Sequence, residues 1–212
     1  MTSEEKKIFT GELYCPGDPE LKAIKLKAHN LNVDFNKLHE DQTEEREAIL
    51  KELIGSMGEG VRIQGPITFH YGVHTTIGEG TFINFNFTCQ DDGKVTIGAH
   101  NDFGPNVTIV TPCHPMVASE RMGLVTPEGD VKHLCYAKPV KIGDYNWFGT
   151  NVVVCPGVTI GSNCVIGAGA VVTRDIPDNS FAAGVPAKVI RTITDADSVL
   201  NMEIGKGYSA VK

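Results

Sequence analysis

A six-residue repeat runs from Tyr71 to about residue 177 of the 212-residue sequence. Each unit begins with an apolar residue, and glycine fills eight of the twelve second positions. A period of six matches neither the helical period nor simple strand alternation. It predicts short strands that meet at tight corners, each with one apolar side chain pointing inward and a residue that tolerates left-handed dihedrals at the bend. The units begin at Tyr71, Ile77, Ile83, Ile97, Phe103, Ile109, Ile142, Phe148, Val154, Ile160, Ile166 and Val172.

Three such strands would close a triangular coil of about 18 residues, and each coil would pair with the next. A single coil of this kind is not stable by itself, because the core forms only when coils stack. We therefore predict a solenoid over residues 57–191.

The chain before the repeats has a different composition. Seven of the ten leucines precede Ile54, whereas Val and Ile dominate the repeats. Leucine favours helices, and branched residues favour strands. Leu50, Leu53 and Ile54 also recur at helical spacing. We predict an N-terminal helical segment over residues 1–56 that packs on the solenoid, and a C-terminal tail over residues 192–212.

Charge and composition disfavour several classes of protein. The chain carries 19 basic and 26 acidic residues, a net charge of −7. That balance disfavours nucleic acid and anionic membranes as partners, since either needs a positive footprint. No apolar run approaches the roughly 18 to 20 residues of a membrane span, and the N-terminus has no apolar signal core, so we expect a cytoplasmic protein. The six cysteines form no Cys-x-x-Cys pair, and we interpret them as buried thiols.

Two interruptions break the repeat. The unit that begins at Cys89 is two residues too long, so Asp91, Asp92 and Gly93 are expected to bulge outward. Residues 115–141 form a much longer excursion. A loop of more than about 12 to 15 residues inside a compact domain is usually a lid, a binding loop or disordered. The apolar residues of this one favour an ordered lid.

His114 lies immediately before this excursion, in the sequence TPCHP. A histidine at the mouth of a loop-covered cleft suits general-base work, because the pKa of a free imidazole lies near the operating pH. The alternative is a histidine that caps a strand corner through a hydrogen bond. Position alone leaves both interpretations open.

The ordered series of motifs resembles the maltose/galactoside O-acetyltransferases, which are hexapeptide-repeat acyltransferases. The resemblance implies a mainly β fold, a left-handed parallel β-helix with a short N-terminal helical segment and an extended loop. It covers nearly the whole chain, including GELY near the N-terminus. The motifs are INFN at 83–86, DDGKVTIG at 91–98, GPNVT at 104–108, CHP at 113–115 and NWFG at 146–149, with further matches up to residue 191.

The resemblance also implies a reaction. His114 would remove the proton from an acceptor hydroxyl, which attacks the thioester of acetyl-CoA without an acyl-enzyme. The acceptor would be a small molecule, a sugar of the maltose, glucose or galactoside type. Asn84 would bind this acceptor and assist catalysis, and Asp92 would be an acceptor-binding carboxylate. Trp147 would line the acyl or acceptor pocket, although a packing role is equally open.

Acetyl-CoA is the implied co-substrate, and no metal is expected. Thr150 matches the position whose backbone N–H contacts the thioester region, where it could serve as an oxyanion donor. Three cations between residues 174 and 191 suit the phosphates of CoA, although surface cations are usually only solvated. The cofactor-binding residues implied are Thr150, Ala168, Thr173, Arg174, Lys188 and Arg191.

Counting units from Tyr71 distributes the site residues over two edges of the triangular prism. Asp92 and His114 fall toward the edge between the first and second faces. Asn84, Trp147 and Thr150 fall at the edge between the second and third. Residues on different edges cannot share a small pocket, so the pocket must lie between subunits, and a closed threefold ring satisfies this. The resemblance implies the same homotrimer.

Three departures from the family pattern fall on the acceptor side. His70, assigned to acceptor binding, stands where the family usually has serine. Pro16 stands where the family usually has an acceptor-binding aspartate, and Asp18 is a candidate substitute. The excursion over residues 115–141 is also longer than in the family. A xenobiotic or serine O-acetyltransferase on the same fold is therefore an alternative.

Two further alternatives belong to other classes. A zinc enzyme of the carbonic anhydrase type needs three histidines from adjacent edges. The four-residue spacing of His70 and His74 suits a helix better than a six-residue coil. A solenoid that serves only as a binding or structural module would release no thiol from acetyl-CoA with any acceptor.

Overall fold

The computed structural model describes residues 1–211, which begin with three helices. α1 starts with a capping box between Thr2 and Glu5. α2 starts at a proline, and the Asp18 carboxylate caps it by accepting from the backbone N–H groups of Glu20 and Leu21. The helices of the described chain are α1 (Ser3–Thr10), α2 (Pro19–Lys37), α3 (Thr43–Leu53) and a short α4 (Ala118–Met122).

The rest of the chain consists mainly of very short strands. In chain order they are β1 (Ser56–Met57), β2 (Arg62–Ile63), β3 (Ile67–Phe69), β4 (Thr75–Ile77), β5 (Phe82–Ile83), β6 (Phe87–Gln90), β7 (Val95–Ile97), β8 (Asp102–Phe103), β9 (Thr108–Val110), β10 (Pro112–Cys113), β11 (Leu124–Val125), β12 (Val131–Lys132), β13 (Tyr136–Ala137), β14 (Val140–Ile142), β15 (Trp147–Phe148), β16 (Val153–Val154), β17 (Thr159–Ile160), β18 (Val165–Ile166), β19 (Val171–Val172), β20 (Ser180–Gly184) and β21 (Ala187–Thr192).

The strands pair in parallel to form a triangular solenoid of about six turns, which confirms the predicted mainly β fold. The Ile109 face contains β3-β6-β9-β16-β19, and the Ile77 face contains β1-β4-β7-β14-β17. The Ile83 face contains β2-β5-β8-β15-β18-β20, and β21 adds to it antiparallel to β20. In this order, the Ile109, Ile77 and Ile83 faces correspond to the first, second and third faces obtained by counting repeat units from Tyr71.

The inward residue of each strand stacks on its counterpart in the next coil. On the Ile77 face, Ile77 pairs with Ile97, and Ile97 pairs with Ile142. Inside the prism, the rings of Phe103 and Phe148 stack 4.4 Å apart. Each such fully buried side chain contributes roughly 1.5–3 kcal/mol relative to exposure. The core is therefore a continuous apolar column, as the repeat predicts.

The glycines of the repeat serve close packing between coils and, with one exception, not the left-handed bend that the sequence predicted for them. A Cβ on Gly78 would lie 2.5 Å from the backbone of Gly98, and one on Gly149 would lie 2.6 Å from the nitrogen of Ala168. Among the second-position glycines, only Gly72 has a positive φ. Most of the left-handed residues at the corners lie two positions after the second residue of a unit, and many are asparagines, which tolerate this region. They include Asn86, Asn106, Asn151 and Asn163.

The first coil of the solenoid lies before the first repeat unit at Tyr71, close to the predicted start at residue 57. β1, β2 and β3 form a first coil, and Tyr71 lies in an insertion after it instead of opening a face. Helix α2 closes this end of the Ile109 face. The side-chain amide of Asn32 exchanges two hydrogen bonds with the backbone of Phe69, at 2.8 and 2.9 Å, so it replaces a neighbouring strand.

Three segments leave the solenoid between the Ile109 face and the Ile77 face. They are residues 70–74, 91–94 and 111–139, and we call this column of corners the insertion edge. The third segment contains β10 paired with β13, then α4, and a hairpin of β11 and β12. Thr111 ties the segments together, since its hydroxyl accepts from the N–H of Gly93 at 2.8 Å.

The C-terminal part returns along β20 and β21 and ends in three short 3-10 helices, Asp195–Asp197, Val199–Asn201 and Glu203–Gly205. Within residues 1–211, no helix combines the length and apolar character that crossing a membrane requires.

Candidate active site

The insertion edge brings together three residues that the sequence assigned to the site. His70, Asp92 and His114 each lie in one of its three segments. Because coils stack directly, positions separated by a whole coil in sequence become neighbours at one edge. The sequence count therefore placed Asp92 and His114 at the edge where the structure has them.

The segment over residues 91–94 leaves the solenoid, as the two extra residues predicted, but it is covered instead of exposed. Asp91 has no exposed surface and Asp92 is only 5% exposed, because the N-terminal segment packs over them. The Asp91 carboxylate accepts from the Tyr71 N–H and from the Thr75 hydroxyl, both at 2.8 Å. Burial raises the pKa of Asp91. Asp91 therefore joins two successive segments of the insertion edge.

Asp92 contacts the N-terminal segment directly. The hydroxyl of Tyr14 donates to Asp92 Oδ1 at 2.6 Å, and Tyr14 is completely buried. Burial raises the pKa of Tyr14, and the negative charge of Asp92 raises it further, so the phenol stays protonated as the donor. Within residues 1–211, the second carboxylate oxygen of Asp92 has no hydrogen-bond partner, so it can accept from a ligand hydroxyl.

His114 is exposed, one residue after β10. Its Nδ1 lies 3.3 Å from Sγ of Cys135. Within residues 1–211, Nε2 of His114 has no hydrogen-bond partner. A neutral imidazole held at Nδ1 with a free Nε2 has the arrangement that a general base needs.

His70 also faces another histidine. Its Nδ1 lies 3.2 Å from Nε2 of His29 on α2. Burial lowers the pKa of His70, so the ring is uncharged at neutral pH. Asp18, the candidate substitute for the missing aspartate, uses Oδ1 as the cap of α2. The carbonyl oxygen of Pro16 accepts from Lys25 Nζ at 2.8 Å.

Asn84 and Thr150 lie at a different edge, between the Ile83 face and the Ile109 face. We call it the asparagine edge, after the left-handed residues Asn86, Asn106 and Asn151 that turn its corners. The sequence count had placed Asn84 and Thr150 between the Ile77 face and the Ile83 face, which was wrong. The apolar residue of most units, including Ile83 and Phe148, ends its strand instead of opening it, so the residues after it lie one edge further on.

The asparagine edge and the face beside it also carry an exposed tryptophan and two free donor groups. Trp147 is on β15, on the Ile83 face itself, and its side chain is 57% exposed. Asn84 Oδ1 accepts from the next backbone N–H at 2.8 Å, which leaves its amide NH₂ free within the described residues. The N–H of Thr150 likewise meets no acceptor in residues 1–211, whereas its carbonyl accepts from Gly169. These groups are available as donors to a ligand.

The residues assigned to the co-substrate divide between both edges. Ala168 follows Thr150 by one coil on the asparagine edge, and Lys188 pairs with Ala183 beyond it. Thr173 and Arg174 follow β19 and lie on the insertion edge instead. All of these except Thr150 are exposed.

The predicted cations also differ in their partners. Arg191 forms an ion pair with Asp197, with nitrogen–oxygen distances of 2.6 and 2.7 Å. Arg174 and Lys188 form no ion pair within residues 1–211. These two side chains are therefore better placed to meet phosphate groups than Arg191 is.

The cysteines differ in burial, and the described residues contain no group arranged as a metal site. All six cysteines are free, and three are buried: Cys89, Cys135 and Cys164. The other three are half-buried, so the interpretation of all six as buried thiols was too broad. Across residues 1–211, no group of three His, Cys, Asp or Glu side chains is arranged to hold a metal ion.

Comparison with known proteins matches both halves of the chain. The family model for the maltose acetyltransferase hexapeptide capping motif matches residues 7–58, and the model for six bacterial transferase hexapeptide repeats matches residues 139–174. The galactoside O-acetyltransferase of Escherichia coli is 41% identical over 91% of this chain and 90% of its own length. The chain belongs to the maltose/galactoside O-acetyltransferase family.

Solved structures of relatives agree with this family assignment. A maltose O-acetyltransferase from Clostridium difficile superposes with a TM-score of 0.84 at 39% identity, over 92% of this chain and 99% of the other. A galactoside acetyltransferase in complex with coenzyme A has a TM-score of 0.86 at 37% identity, with 100% of both chains covered. The recognised resemblance is thus confirmed.

The sequence did not predict that three residues contact the candidate site: Tyr14, His29 and Cys135. Tyr14 lies in the GELY motif, which contributes to the family resemblance but did not indicate a role for the tyrosine. His29 and Cys135 carry no motif. Their partners in the site are 41 and 21 residues away, His70 and His114 respectively. Only the packing of α2 and the return of the excursion bring them to the insertion edge.

Proposed function

We propose that this protein is an acetyl-CoA-dependent O-acetyltransferase that acetylates a hydroxyl of a sugar of the maltose, glucose or galactoside type. The observation that carries the proposal is His114, which is exposed at the insertion edge with Nδ1 held and Nε2 free. Family membership supports acetyl transfer, since relatives are named galactoside and maltose O-acetyltransferases and one was solved with coenzyme A.

In the proposed reaction, Nε2 of His114 takes the proton of the acceptor hydroxyl as its oxygen attacks the thioester carbonyl. The free oxygen of Asp92 and the Asn84 amide orient the acceptor. The N–H of Thr150 stabilises the oxyanion of the tetrahedral intermediate. When that intermediate collapses, the C–S bond breaks and the proton passes from His114 to the CoA sulfur. No acyl-enzyme forms.

Acetyl-CoA would lie along the asparagine edge. Thr150 and Ala168 follow one another in successive coils, and the exposed methyl of Ala168 leaves room for a flat ligand. Lys188, beyond them, would meet phosphate oxygens. Arg174 would reach the same molecule from the insertion edge.

Because the required groups lie on two edges of one prism, we propose that each site is shared by two subunits of a homotrimer. One subunit supplies His114 and Asp92, and its neighbour supplies Asn84 and Thr150. A closed threefold ring gives every subunit both roles. The exposed Trp147, on the face adjoining the asparagine edge, would be covered in that ring.

The test is release of CoA thiol from acetyl-CoA in the presence of maltose, glucose, galactosides, amino sugars, serine and chloramphenicol. Thiol release with a sugar at the highest kcat/KM supports the proposal. Preference for serine or chloramphenicol would contradict the sugar assignment, and no release with any acceptor would contradict the transferase.

The role of the base predicts that His114→Ala lowers kcat by at least about 10²-fold and leaves the affinity for acetyl-CoA nearly unchanged. The reason is that His114 acts on the acceptor proton and not on the nucleotide. His133→Ala is the matched control, because His133 is an exposed histidine of the same excursion whose ring contacts the backbone of Arg121 and none of the proposed site residues. Near-normal turnover of correctly assembled His114→Ala would remove His114 from this role.

A further inference from the structure

Two backbone pairings place Cys135 beside His114, the proposed base. β13 pairs with β10, so that Tyr136 lies opposite Cys113 and Cys135 comes next to His114. Cys135 also exchanges backbone hydrogen bonds with Tyr14, at 2.9 and 3.0 Å. The position of its Sγ, 3.3 Å from Nδ1 of His114, is therefore set by three separate segments of the chain.

The direction of this hydrogen bond decides whether His114 can work. If Nδ1 carries the proton and donates to sulfur, Nε2 has a free lone pair. If the thiol donates to Nδ1, Nε2 carries the proton and cannot accept one from an acceptor hydroxyl. Burial raises the pKa of the Cys135 thiol, and the charge of Asp92 raises it further, so the thiol is uncharged at neutral pH. An uncharged thiol sulfur can accept the Nδ1–H of His114.

We propose that Cys135 is a positioning residue for acetyl transfer: its sulfur accepts the Nδ1–H of His114 and thereby fixes the ring orientation and the tautomer with a free Nε2. The proposal rests on the proposed role of His114 as base. A neutral sulfur fixes the tautomer without adding a negative charge beside the imidazole, unlike the carboxylate of a Ser-His-Asp triad.

Tyr14 extends this arrangement to the acceptor carboxylate. Its backbone pairs with Cys135, and its hydroxyl donates to Asp92 at 2.6 Å. One buried pair, Tyr14 and Cys135, therefore holds both the base and an acceptor-binding group in place. The N-terminal segment reaches the site through this pair.

The test combines kinetics with a direct measurement of the tautomer. Cys135→Ala should lower kcat about tenfold, the effect expected from loss of one hydrogen bond, with the KM for acetyl-CoA nearly unchanged. Cys135→Ser keeps an acceptor at this position and should recover most of kcat. Cys164→Ala, which removes another buried thiol, is the matched control and should retain wild-type kcat.

¹⁵N spectra of histidine-labelled protein, with His114 assigned by difference from His114→Ala, should show protonated Nδ1 in the wild type and in Cys135→Ser. Cys135→Ala should show loss of that tautomer. Wild-type kcat and an unchanged tautomer in Cys135→Ala would overturn the positioning role, as would a loss of kcat that Cys135→Ser does not restore. Full activity of His114→Ala would instead defeat the proposed function, so the two failures are distinguishable.

Discussion

At the scale of single residues, the proposed acceptor side of the site contains an imidazole pair. His70 is half-buried, and its neighbour His29 comes from α2, outside the solenoid. Burial holds His70 uncharged at neutral pH by lowering its pKa. A ring at this position fills space that the serine usual in the family would leave open. We propose that the pair limits which hydroxyl compounds can approach Asp92.

Replacement of the ring tests that limit. We expect His70→Ser to change the KM for the acceptor at least several-fold and to widen the range of accepted sugars, because a smaller side chain enlarges the acceptor space. The KM for acetyl-CoA should stay the same, since the co-substrate is expected along the asparagine edge. Steady-state kinetics with each substrate varied in turn separates these effects.

His39→Ser is the control for this prediction, because His39 is an exposed histidine between α2 and α3, away from the insertion edge. It should leave both KM values unchanged. An unchanged acceptor profile in His70→Ser would show that His70 only packs between α2 and the solenoid.

How well the sequence predicted a residue depended on where its partner came from. Asp92 and His114 could be placed at one edge because the repeat counts coils, and coil number fixes an edge. The burial of Asp92 could not be predicted, because the covering residue, Tyr14, is 78 residues away and belongs to a segment without periodicity. The contact of Cys135 depends on the return path of an excursion, which no repeat constrains.

At the scale of elements, the distance between coils determines which residues the repeat allows. The backbones of successive coils approach so closely at the second position that a Cβ on Gly78 would lie 2.5 and 2.6 Å from backbone atoms of Gly98 and Ala99. Backbone atoms of a paired coil cannot move aside independently. The repeat glycines are therefore required mainly by stacking, although the sequence favoured a dihedral explanation.

This stacking requirement predicts that Gly78→Ala lowers the free energy of unfolding by roughly 1–3 kcal/mol, the usual cost of overpacking. Gly17→Ala is the matched control. Its Cβ would meet only Sγ of Cys15, at an ordinary 3.6 Å, without a positive φ. Denaturant unfolding of both variants measures the difference. Equal stability of Gly78→Ala and the wild type would mean that the coils can separate without cost.

At the scale of the whole molecule, one chain leaves apolar side chains exposed near its site. The excursion is ordered, as the sequence predicted, but its large apolar side chains stay outside the core. Met116 is 89% exposed, and Phe85, at the asparagine edge, is 47% exposed. Covering these side chains with a second copy would remove their apolar surface from water, which favours association. A second copy that covers them would also bring an asparagine edge to an insertion edge.

The proposed site between two subunits makes a quantitative prediction for mixed assemblies. His114→Ala disables only the insertion edge of its subunit, and Asn84→Ala disables only the asparagine edge. In a ring, each site uses one edge from each of two neighbours, so an Asn84→Ala subunit beside a His114→Ala subunit, in the right order, forms one intact site. Random mixing in equal amounts should make about one quarter of all sites intact, because each intact site needs one ordered pair of subunits.

The experiment is to coexpress the two variants with different tags, isolate assemblies that carry both, and compare their kcat per subunit with that of each variant alone. Each variant alone should be nearly inactive, and every mixed trimer should contain one intact site out of three. The control mixes His114→Ala with Asp92→Ala, two changes on the same edge, which no arrangement of subunits can complement. Activity of the mixed assemblies no higher than that of this control would place the whole site within one subunit.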